Sequence, residues 1–341
     1  MISGTRDVVL RSGLRALERV PSDARKSAWR ALEGVGRRIP RGVMNAPLGG
    51  RVPLVRPKVA VARLASAIDG RRVLITGATS GIGLETAHAI GRAGGEVILV
   101  ARNATRLNEV AAQVDALGGR ASVVPGNLSE SEASDEIVDS IGRVHGGIDI
   151  LINNAGHSIR RPLAASYDRG HDYERTMALN YFGAVRLILG FLPGMRERGD
   201  GHIINVSTMG VEVGPEPRFS AYLASKAALD AFTASAAPET AHDGIAWTTV
   251  YMPLVRTPMI APTAVYQRVP ALSPREASQL LLEAIVGRPR YVSTPIGRAG
   301  ALLYHLSPET IESIFNLGFR LVPDEADDEP AGERKQIHAG A

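Results

Sequence analysis

The 341-residue chain contains no cysteine, which excludes disulfide bonds, thiolate nucleophiles and sulfur-ligated metals. Aromatic residues make up only 5% of it and do not alternate with basic residues, which argues against nucleic-acid binding. No apolar run approaches the roughly 18 residues of a membrane span, and the N-terminus lacks the apolar stretch of a secretory signal. The eight histidines show no metal-ligand spacing, so we expect no metal site. We expect a cytoplasmic protein.

Positive charge is concentrated at the start of the chain, although the net charge of the whole chain is only +4. Residues 1–72 contain sixteen Lys and Arg against five Asp and Glu. Such an excess favours contact with an anionic surface such as lipid headgroups, so a peripheral membrane contact is one interpretation. A solvated extension, or an arm docked on an acidic body, explains the same pattern, and we favour this second interpretation.

Five prolines and a change of pattern separate an N-terminal extension, residues 1–69, from the rest of the chain. Within it, apolar residues at 8–20 recur at helical spacing with arginines between them, which predicts an amphipathic helix. Such a helix could lie on the body, on a partner or on a membrane surface. After the extension we place a catalytic domain at 70–260, substrate-binding or lid helices continuous with it at 261–323, and a polar tail at 324–341.

Short apolar runs alternate with helical segments from Arg71 onward. The predicted strands are Val73–Ile75, Glu96–Ala101, Ala121–Val124, Ile148–Ile152, Ile203–Val206 and Trp247–Val250. Strands that are buried on both faces and alternate with helices predict a parallel sheet with helices on each side. Because the crossovers are right-handed, the sequence predicts a doubly wound α/β fold of the Rossmann type.

A glycine-rich turn follows the first predicted strand. Gly77 and Gly81 permit a tight turn that lets the backbone approach a pyrophosphate, and Gly83 lets the following helix pack closely on its strand. The start of that helix favours negative charge. The turn therefore predicts a dinucleotide site, with an ordinary loop as the alternative. The expected cofactor contacts in this turn are Gly77, Thr79, Ser80, Gly81, Ile82 and Gly83.

The end of the second predicted strand indicates which dinucleotide is bound. Arg102 lies about 20 residues after Gly83, where an acid would bind a free ribose 2′-hydroxyl. An arginine suits a 2′-phosphate and an acid does not, so we predict NADP(H) over NAD(H). The alternative is that Arg102 is only a solvated base at a strand end.

Tyr222 and Lys226 are four residues apart in an alanine-rich segment that predicts a helix, so they share one helical face. A free tyrosine has a pKa of about 10 and is a poor acid or base near neutral pH. A neighbouring ammonium favours the phenolate and is expected to lower that pKa. Tyr222 could then exchange a proton with a substrate oxygen. The same pair also occurs by chance in many helices.

The order of these motifs resembles that of the short-chain dehydrogenase/reductase family over roughly residues 70–260. The motifs that carry the resemblance are Thr76–Gly83, Asn153–Gly156, Asn180, and Tyr222 with Lys226. The resemblance implies a nicotinamide-dependent oxidoreductase that forms a dimer or tetramer. It implies that Tyr222 is the general acid/base and that Lys226 activates it and binds the nicotinamide ribose.

The resemblance also implies roles beyond that pair. Asn180 would anchor a water molecule of a proton relay. A hydroxyl would polarise the substrate carbonyl, and both Ser207 and Thr208 are candidates. Counting from Asn205 favours Thr208, whereas counting back from Gly210 favours Ser207.

Two positions depart from the family pattern. Asn127 stands where the family often has an aspartate that contacts adenine, and Leu254 stands where a glycine is usual. The amide of Asn127 could serve in place of the carboxylate. The remaining expected cofactor contacts are Asn127, Leu128, Asn153, Ala155, Gly156, Pro253, Val255 and Thr257.

The C-terminal third indicates the substrate. Met252–Thr263 is similar to the corresponding segment of bacterial fatty acyl-CoA reductases of this superfamily, as are Ser293–Gly297 and Arg320–Asp324. This similarity implies reduction of a long-chain acyl thioester to an aldehyde. Apolar side chains of the helical C-terminal segment are expected to line an acyl slot or, alternatively, to form core or a dimer contact. They are Leu302, Leu303, Leu306, Ile311, Ile314, Phe315, Leu317 and Phe319.

These expectations converge on an NADPH-dependent reductase of a hydrophobic carbonyl compound, either a fatty acyl-CoA or the derived aldehyde. One alternative is an NADP-dependent alcohol or ketone dehydrogenase without thioester activity. Another is a nucleotide-binding scaffold or sensor at a lipid surface, against which the intact Tyr222–Lys226 pair argues.

Overall fold

The computed structural model describes residues 58–261, Tyr266 and residues 269–321. Three predicted features therefore lie outside the described residues. They are the amphipathic helix at 8–20, most of the basic extension, and the polar tail at 324–341.

A seven-stranded parallel sheet forms the centre of the described domain. The strands are β1 (Arg72–Thr76), β2 (Glu96–Ala101), β3 (Arg120–Pro125), β4 (Ile150–Asn153), β5 (Gly201–Thr208), β6 (Ile245–Met252) and β7 (Tyr291–Val292). Their order across the sheet is β3-β2-β1-β4-β5-β6-β7. The predicted doubly wound α/β fold is confirmed. The short strand β7 is an addition that the sequence pattern did not reveal, because two residues are too few to show a period.

Helices cover both faces of this sheet. They are α1 (Val61–Ile68), α2 (Gly81–Arg92), α3 (Ala104–Ala116), α4 (Ser131–His145), α5 (Gly170–Met177), α6 (Ala184–Arg198), α7 (Met209–Val213), α8 (Ser220–Glu239), α9 (Pro274–Gly287), α10 (Pro295–Leu306) and α11 (Pro308–Leu321). A π-helical turn, Ala178–Gly183, joins α5 to α6, and 3₁₀ turns lie at Leu163–Ala165 and Ala241–Asp243.

The two faces of each strand pack against different helices. In β1, Val73 and Ile75 belong to the layer formed with α1, α2, α3 and α9, whereas Leu74 belongs to the layer formed with α4, α6 and α8. All three side chains are fully buried. Burial on both faces explains why these strands read as continuous apolar runs.

The last part of the predicted extension packs onto the domain. Leu64 and Ile68 of α1 are buried in the same layer as α2 and α9. A Cβ at Gly95 would collide with the Ile68 side chain, so α1 lies directly against the turn before β2. The packed structure thus includes α1, which precedes the domain boundary that we expected at residue 70.

One helical stretch, Gly170–Arg198, is long and apolar enough to cross a membrane by length and composition alone. The stretch consists of α5, the π-helical turn and α6. Because polar residues interrupt it, the absence of a long apolar run in the sequence did not predict it. Leu187, Ile188 and Phe191 of α6 are buried in the layer beneath the sheet. These buried side chains account for part of the apolar composition, since 33% of the apolar window is buried in the domain.

Candidate active site

A cavity of about 840 Å³ opens at the carboxyl ends of the strands. Its wall is formed by the glycine turn after β1, the ends of β2, β4, β5 and β6, and one face of α8. Doubly wound sheets bind ligands at this edge. The volume lies within the range of small-molecule sites, roughly 300–1,000 Å³.

Most residues predicted from the sequence lie in this wall. Those present are Gly77, Thr79, Ser80, Gly81, Ile82, Arg102, Asn127, Leu128, Ala155, Gly156, Ser207, Thr208, Tyr222, Lys226, Pro253, Val255 and Thr257. Gly83, Asn153 and Asn180 lie behind the wall. The cavity therefore brings the predicted catalytic hydroxyls and the predicted dinucleotide contacts into one site.

The glycine turn has the geometry of a phosphate cradle. Gly77 and Gly81 adopt left-handed φ angles of 66° and 56°. A Cβ at either position would lie 2.9 Å from a neighbouring atom, Ala155 Cα or Thr257 Cγ2 respectively. The Ser80 side chain does not cap α2, so it leaves the first N–H groups of that helix to other acceptors. These features fit a bound pyrophosphate.

Gly83 serves the packing of the turn and does not line the cavity. A Cβ there would lie 2.5 Å from the Gly77 carbonyl oxygen and 2.7 Å from Asn154 Nδ2. Asn154 Nδ2 donates a hydrogen bond to the Thr76 carbonyl oxygen at 2.9 Å, which fixes the turn to the end of β4. The packing role expected for Gly83 agrees with this geometry, and its contact with the cofactor stays a prediction.

Asn153 faces the interior of the sheet. Its Nδ2 donates to Asn205 Oδ1 at 2.8 Å, and Asn205 Nδ2 donates to Thr233 Oγ1 at 2.9 Å. This buried chain ties β4 to β5 and α8. The following residue, Asn154, lies in the cavity wall, and the expectation that Asn153 borders the cofactor stays a prediction.

Asn180 lies in the π-helical turn and is buried. Its Oδ1 accepts from His157 N at 2.8 Å, while its Nδ2 donates to His157 O at 2.8 Å and to Ser225 Oγ at 2.9 Å. A Cβ at Gly156 would lie 3.4 Å from both Asn180 Oδ1 and Lys226 Nζ. Asn180 therefore clamps the loop after β4 onto α8, behind the lysine. Its role with a relay water stays a prediction.

Lys226 is buried at the base of the cavity. Its Nζ donates to the Val206 carbonyl oxygen at 2.7 Å. Burial lowers the pKa of Lys226 to about 8, and the Asp230 carboxylate acts in the opposite direction. Asp230 lies one helical turn further along α8 and is a member of the site that our motifs did not include.

The phenol of Tyr222 is a weaker acid in the structure than we expected. Burial raises the pKa of Tyr222 above its ordinary value, the Glu216 carboxylate raises it further, and a hydrogen bond with Thr208 lowers it. The prediction that Lys226 lowers this pKa is therefore corrected. Desolvation outweighs the attraction of a nearby charge here, since the phenolate would lie out of water.

The two candidate hydroxyls point to different neighbours. Thr208 Oγ1 accepts from Gly210 N at 3.3 Å, and the Thr208 side chain acts to lower the pKa of Tyr222, which places it near the phenol. Ser207 is buried on the side of Asp230, and its hydroxyl has no partner of normal hydrogen-bond geometry among the described residues. The structure thus brings Thr208 to the phenol.

The far end of the cavity is formed by residues that no motif revealed. The rings of Phe219 and Tyr266 stack with centroids 6.4 Å apart, and the Arg160 guanidinium lies 6.0 Å from the centroid of Tyr266. Burial raises the pKa of the Glu216 carboxyl to about 6, while Arg160 acts to lower it. These side chains come from three separate loops, so sequence spacing gave no signal for them.

The predicted acyl slot is largely wrong. Of its eight side chains, all within the described residues, Phe315 lies in the cavity wall. Leu302, Leu303, Leu306 and Ile314 are more than half exposed on the outer face of α10 and α11. Helical spacing shows that a helix has an apolar face, but it does not show what that face contacts.

Metal ligands are not clustered in the part of the chain that the structure describes. There, no group of three or more His, Asp or Glu side chains could hold a metal ion.

Comparison with known proteins identifies the class of this fold and site. The family model described as short chain dehydrogenase matches residues 71–265. The chain belongs to this family and is an oxidoreductase. A nicotinamide dinucleotide is therefore the cofactor class for this cavity.

Two curated relatives and one solved structure are similar over most of their length. A protein of Acinetobacter baylyi named fatty acyl-CoA reductase is 50% identical over 75% of this chain and 86% of its own. A fatty acyl-CoA reductase of Mycobacterium tuberculosis is 45% identical over 78% of this chain and 92% of its own. The L-sorbose reductase of Gluconobacter frateurii, complexed with NADPH and L-sorbose, is 28% identical with a TM-score of 0.61, over 67% and 96% of the chains.

Proposed function

We propose that this oxidoreductase uses NADPH to reduce a long-chain fatty acyl-CoA to the aldehyde. The observation that carries this proposal is the course of the cavity. It extends from the glycine turn past Tyr222 to an aromatic end that includes Phe219, Tyr266 and Phe315. The dinucleotide end and the hydrophobic end of the cavity thus meet at the phenol of Tyr222. The two relatives named fatty acyl-CoA reductases, at 50% and 45% identity, support this substrate class.

The choice of NADPH rests on the end of β2. Arg102 lies in the cavity wall there, next to Asn103, and no carboxylate lies in that part of the described wall. A guanidinium binds the 2′-phosphate of NADPH with charge-assisted hydrogen bonds. An acid, which would bind a free ribose hydroxyl and repel a phosphate, is missing from the same described segment.

Different residues of the cavity wall have different roles in the proposed reaction. The glycine turn would hold the pyrophosphate, and Lys226 would hold the nicotinamide ribose. When bound, the dinucleotide supplies a hydride to the carbonyl carbon. The Thr208 hydroxyl polarises the substrate oxygen, and the Tyr222 phenol donates a proton to it. Burial raises the pKa of Tyr222, so the phenol is protonated at neutral pH, as donation requires, but is a weaker acid than a free tyrosine.

The test uses the purified full chain with NADPH and NADH. Palmitoyl-CoA, hexadecanal and a simple ketone are offered in turn, and both dinucleotide oxidation and the product are measured. We expect palmitoyl-CoA to be converted to hexadecanal with NADPH, and Tyr222→Phe to abolish this turnover. Turnover of the ketone alone would exclude the acyl-CoA proposal. Equal turnover by the Tyr222→Phe variant would exclude the assigned acid.

A further inference from the structure

A carboxyl group lies beside the Thr208–Tyr222 pair at the aromatic end of the cavity. Glu216 lines the wall, and its Oε2 lies so close to Gly210 that a Cβ there would collide with it. The Gly210 N–H in turn donates to Thr208 Oγ1 at 3.3 Å. Glu216 therefore lies against the residue whose N–H is bonded to the hydroxyl that would polarise the substrate.

The surroundings of this carboxyl favour its protonated form. The Phe219 and Tyr266 rings, whose centroids are 6.4 Å apart, stack in the same part of the wall. Burial raises the pKa of Glu216 to about 6, and the positive charge of Arg160 only partly offsets this effect. The same carboxylate raises the pKa values of both Tyr222 and Tyr266. With this pKa, about half of the Glu216 carboxyl groups hold a proton at pH 6 and about a tenth at pH 7.

Reduction of a thioester to an aldehyde delivers a proton to a second atom, the departing sulfur, which reduction of a ketone does not. In a ketone, the single proton goes to oxygen, and Tyr222 supplies it. In a thioester, the sulfur must also leave from the hemithioacetal that follows hydride addition. An alkyl thiolate leaves more slowly than an aryl thiolate because its conjugate thiol is a weaker acid, with a pKa of about 8.5 for a cysteine thiol. A second acid near the carbonyl therefore distinguishes a thioester site from a ketone site.

We propose that Glu216 is the general acid that protonates the departing sulfur, an inference that rests on the proposed acyl-CoA reduction. As the carbon–sulfur bond of the hemithioacetal breaks, its electron pair goes to sulfur, which takes the proton of the Glu216 carboxyl. The hydroxyl proton passes to the Tyr222 phenolate, and the released oxygen electrons form the aldehyde C=O. Coenzyme A leaves as the thiol, and the Glu216 carboxylate regains a proton from water.

The test compares two leaving groups in the full chain. Palmitoyl-CoA has an alkyl thiol, whereas an S-aryl thiopalmitate has a much more acidic thiol that leaves without a proton. We expect Glu216→Gln to lower kcat for palmitoyl-CoA by about 100-fold, in the range of general acid catalysis. For the aryl thioester we expect a loss several times smaller. That difference is a readout that a structural role would not produce.

Glu212→Gln is the matched control. Glu212 is half-buried in the same connection, hydrogen-bonded to Ser293, and outside the cavity wall. The Glu212→Gln substitution should change kcat for the two thioesters by the same factor. If Glu216→Gln folds poorly, Glu216→Asp, which keeps the acid but shortens it, should show a smaller loss with the same leaving-group preference.

Three outcomes oppose the proposal. An equal loss for both thioesters in the Glu216 variants would make Glu216 a positioning residue, and no loss would remove it from the reaction. Both results leave the acyl-CoA reductase proposal intact. If the unmodified chain reduces neither thioester while it still turns over a ketone, the proposed function fails and the role of Glu216 fails with it.

Discussion

The Thr208 side chain lies near the phenol of Tyr222 and acts to lower its pKa, so the end of β5 meets the first turn of α8 at this pair. The neighbouring Ser207 is directed to the other side of the strand, toward Asp230. Alternation of side chains along a strand explains the difference, because consecutive residues point to opposite faces. The two candidate hydroxyls are therefore not interchangeable.

The first prediction separates them by mutation. We expect Thr208→Ala to lower kcat by about 100-fold, the usual effect of removing one donor to a developing oxyanion. Thr208→Ser keeps a hydroxyl at the same place and should retain most of the activity. Ser207→Ala should lower kcat much less than Thr208→Ala does. Steady-state rates with palmitoyl-CoA measure all three, and a larger loss at Ser207 would reverse the assignment.

Sequence patterns predicted the parts of the site that are local in the chain. The glycine turn depends on residues 77–83, and the Tyr222–Lys226 pair depends on one helical turn, so spacing was sufficient. Glu216, Arg160 and Tyr266 meet only after three loops have folded over the sheet, and no spacing encodes that meeting. The predicted direction of the Tyr222 pKa shift was wrong for a related reason, because burial is a property of the whole fold.

The second prediction concerns cofactor choice. Arg102→Ala should weaken the binding of NADPH by about 10- to 100-fold, since a hydrogen bond to a charged group contributes roughly 1.5–3 kcal/mol. Because NADH has no 2′-phosphate, its binding should be weakened far less. Arg106→Ala is the matched control, because Arg106 is paired with Glu109 and lies outside the cavity wall. KM values for both dinucleotides measure the effect, and equal losses would place 2′-phosphate recognition elsewhere.

The third prediction is a pH dependence at Lys226. Burial lowers the pKa of Lys226 to about 8, so its positive charge is lost as the pH rises through 8. Activity that requires the ammonium should fall over the same interval. The Asp230 carboxylate raises this pKa, and Ser207, Tyr251 and Arg290 also face that carboxylate.

Replacing Asp230 tests this arrangement. Asp230→Asn should move the alkaline limb of the kcat/KM profile to lower pH, because the charged form of Lys226 loses its support. Asp230→Glu keeps the charge and should leave the limb closer to its original position. A profile that is lower at every pH but not displaced would show that Asp230 acts on packing alone.

The fourth prediction is acid destabilisation through His202. This residue is buried in β5, and its Nε2 lies 2.9 Å from Thr248 Oγ1. Because the Thr248 hydroxyl donates to the Pro289 carbonyl oxygen, it accepts from His202 Nε2–H. The buried His202 Nδ1 has no hydrogen-bond partner among the described residues, so a second proton on the ring would have no acceptor. Burial lowers the pKa of His202 to about 3, whereas the unfolded chain protonates it near 6.5.

Unfolding therefore takes up one proton at His202 between those two pH values. This contribution to stability is complete above pH 6.5 and is lost as the pH falls toward 3. The free energy of unfolding should decrease by about 1.4 kcal/mol per pH unit from this group alone. His202→Gln cannot take up that proton and should unfold in urea with a shallower pH dependence. Parallel slopes for the two chains would contradict the assignment.

The last prediction concerns Phe315, the side chain of α11 that lies in the cavity wall. If an acyl chain contacts this ring, Phe315→Ala should raise the KM for palmitoyl-CoA by about tenfold, part of the roughly 1.5–3 kcal/mol that burial of such a side chain contributes. Shorter acyl chains that end before the ring should be affected less. Ile314→Ala is the control, because Ile314 is 58% exposed on the same helix. A KM series from C8 to C18 acyl-CoA checks the prediction, and a loss that is independent of chain length would show that α11 does not bind the acyl chain.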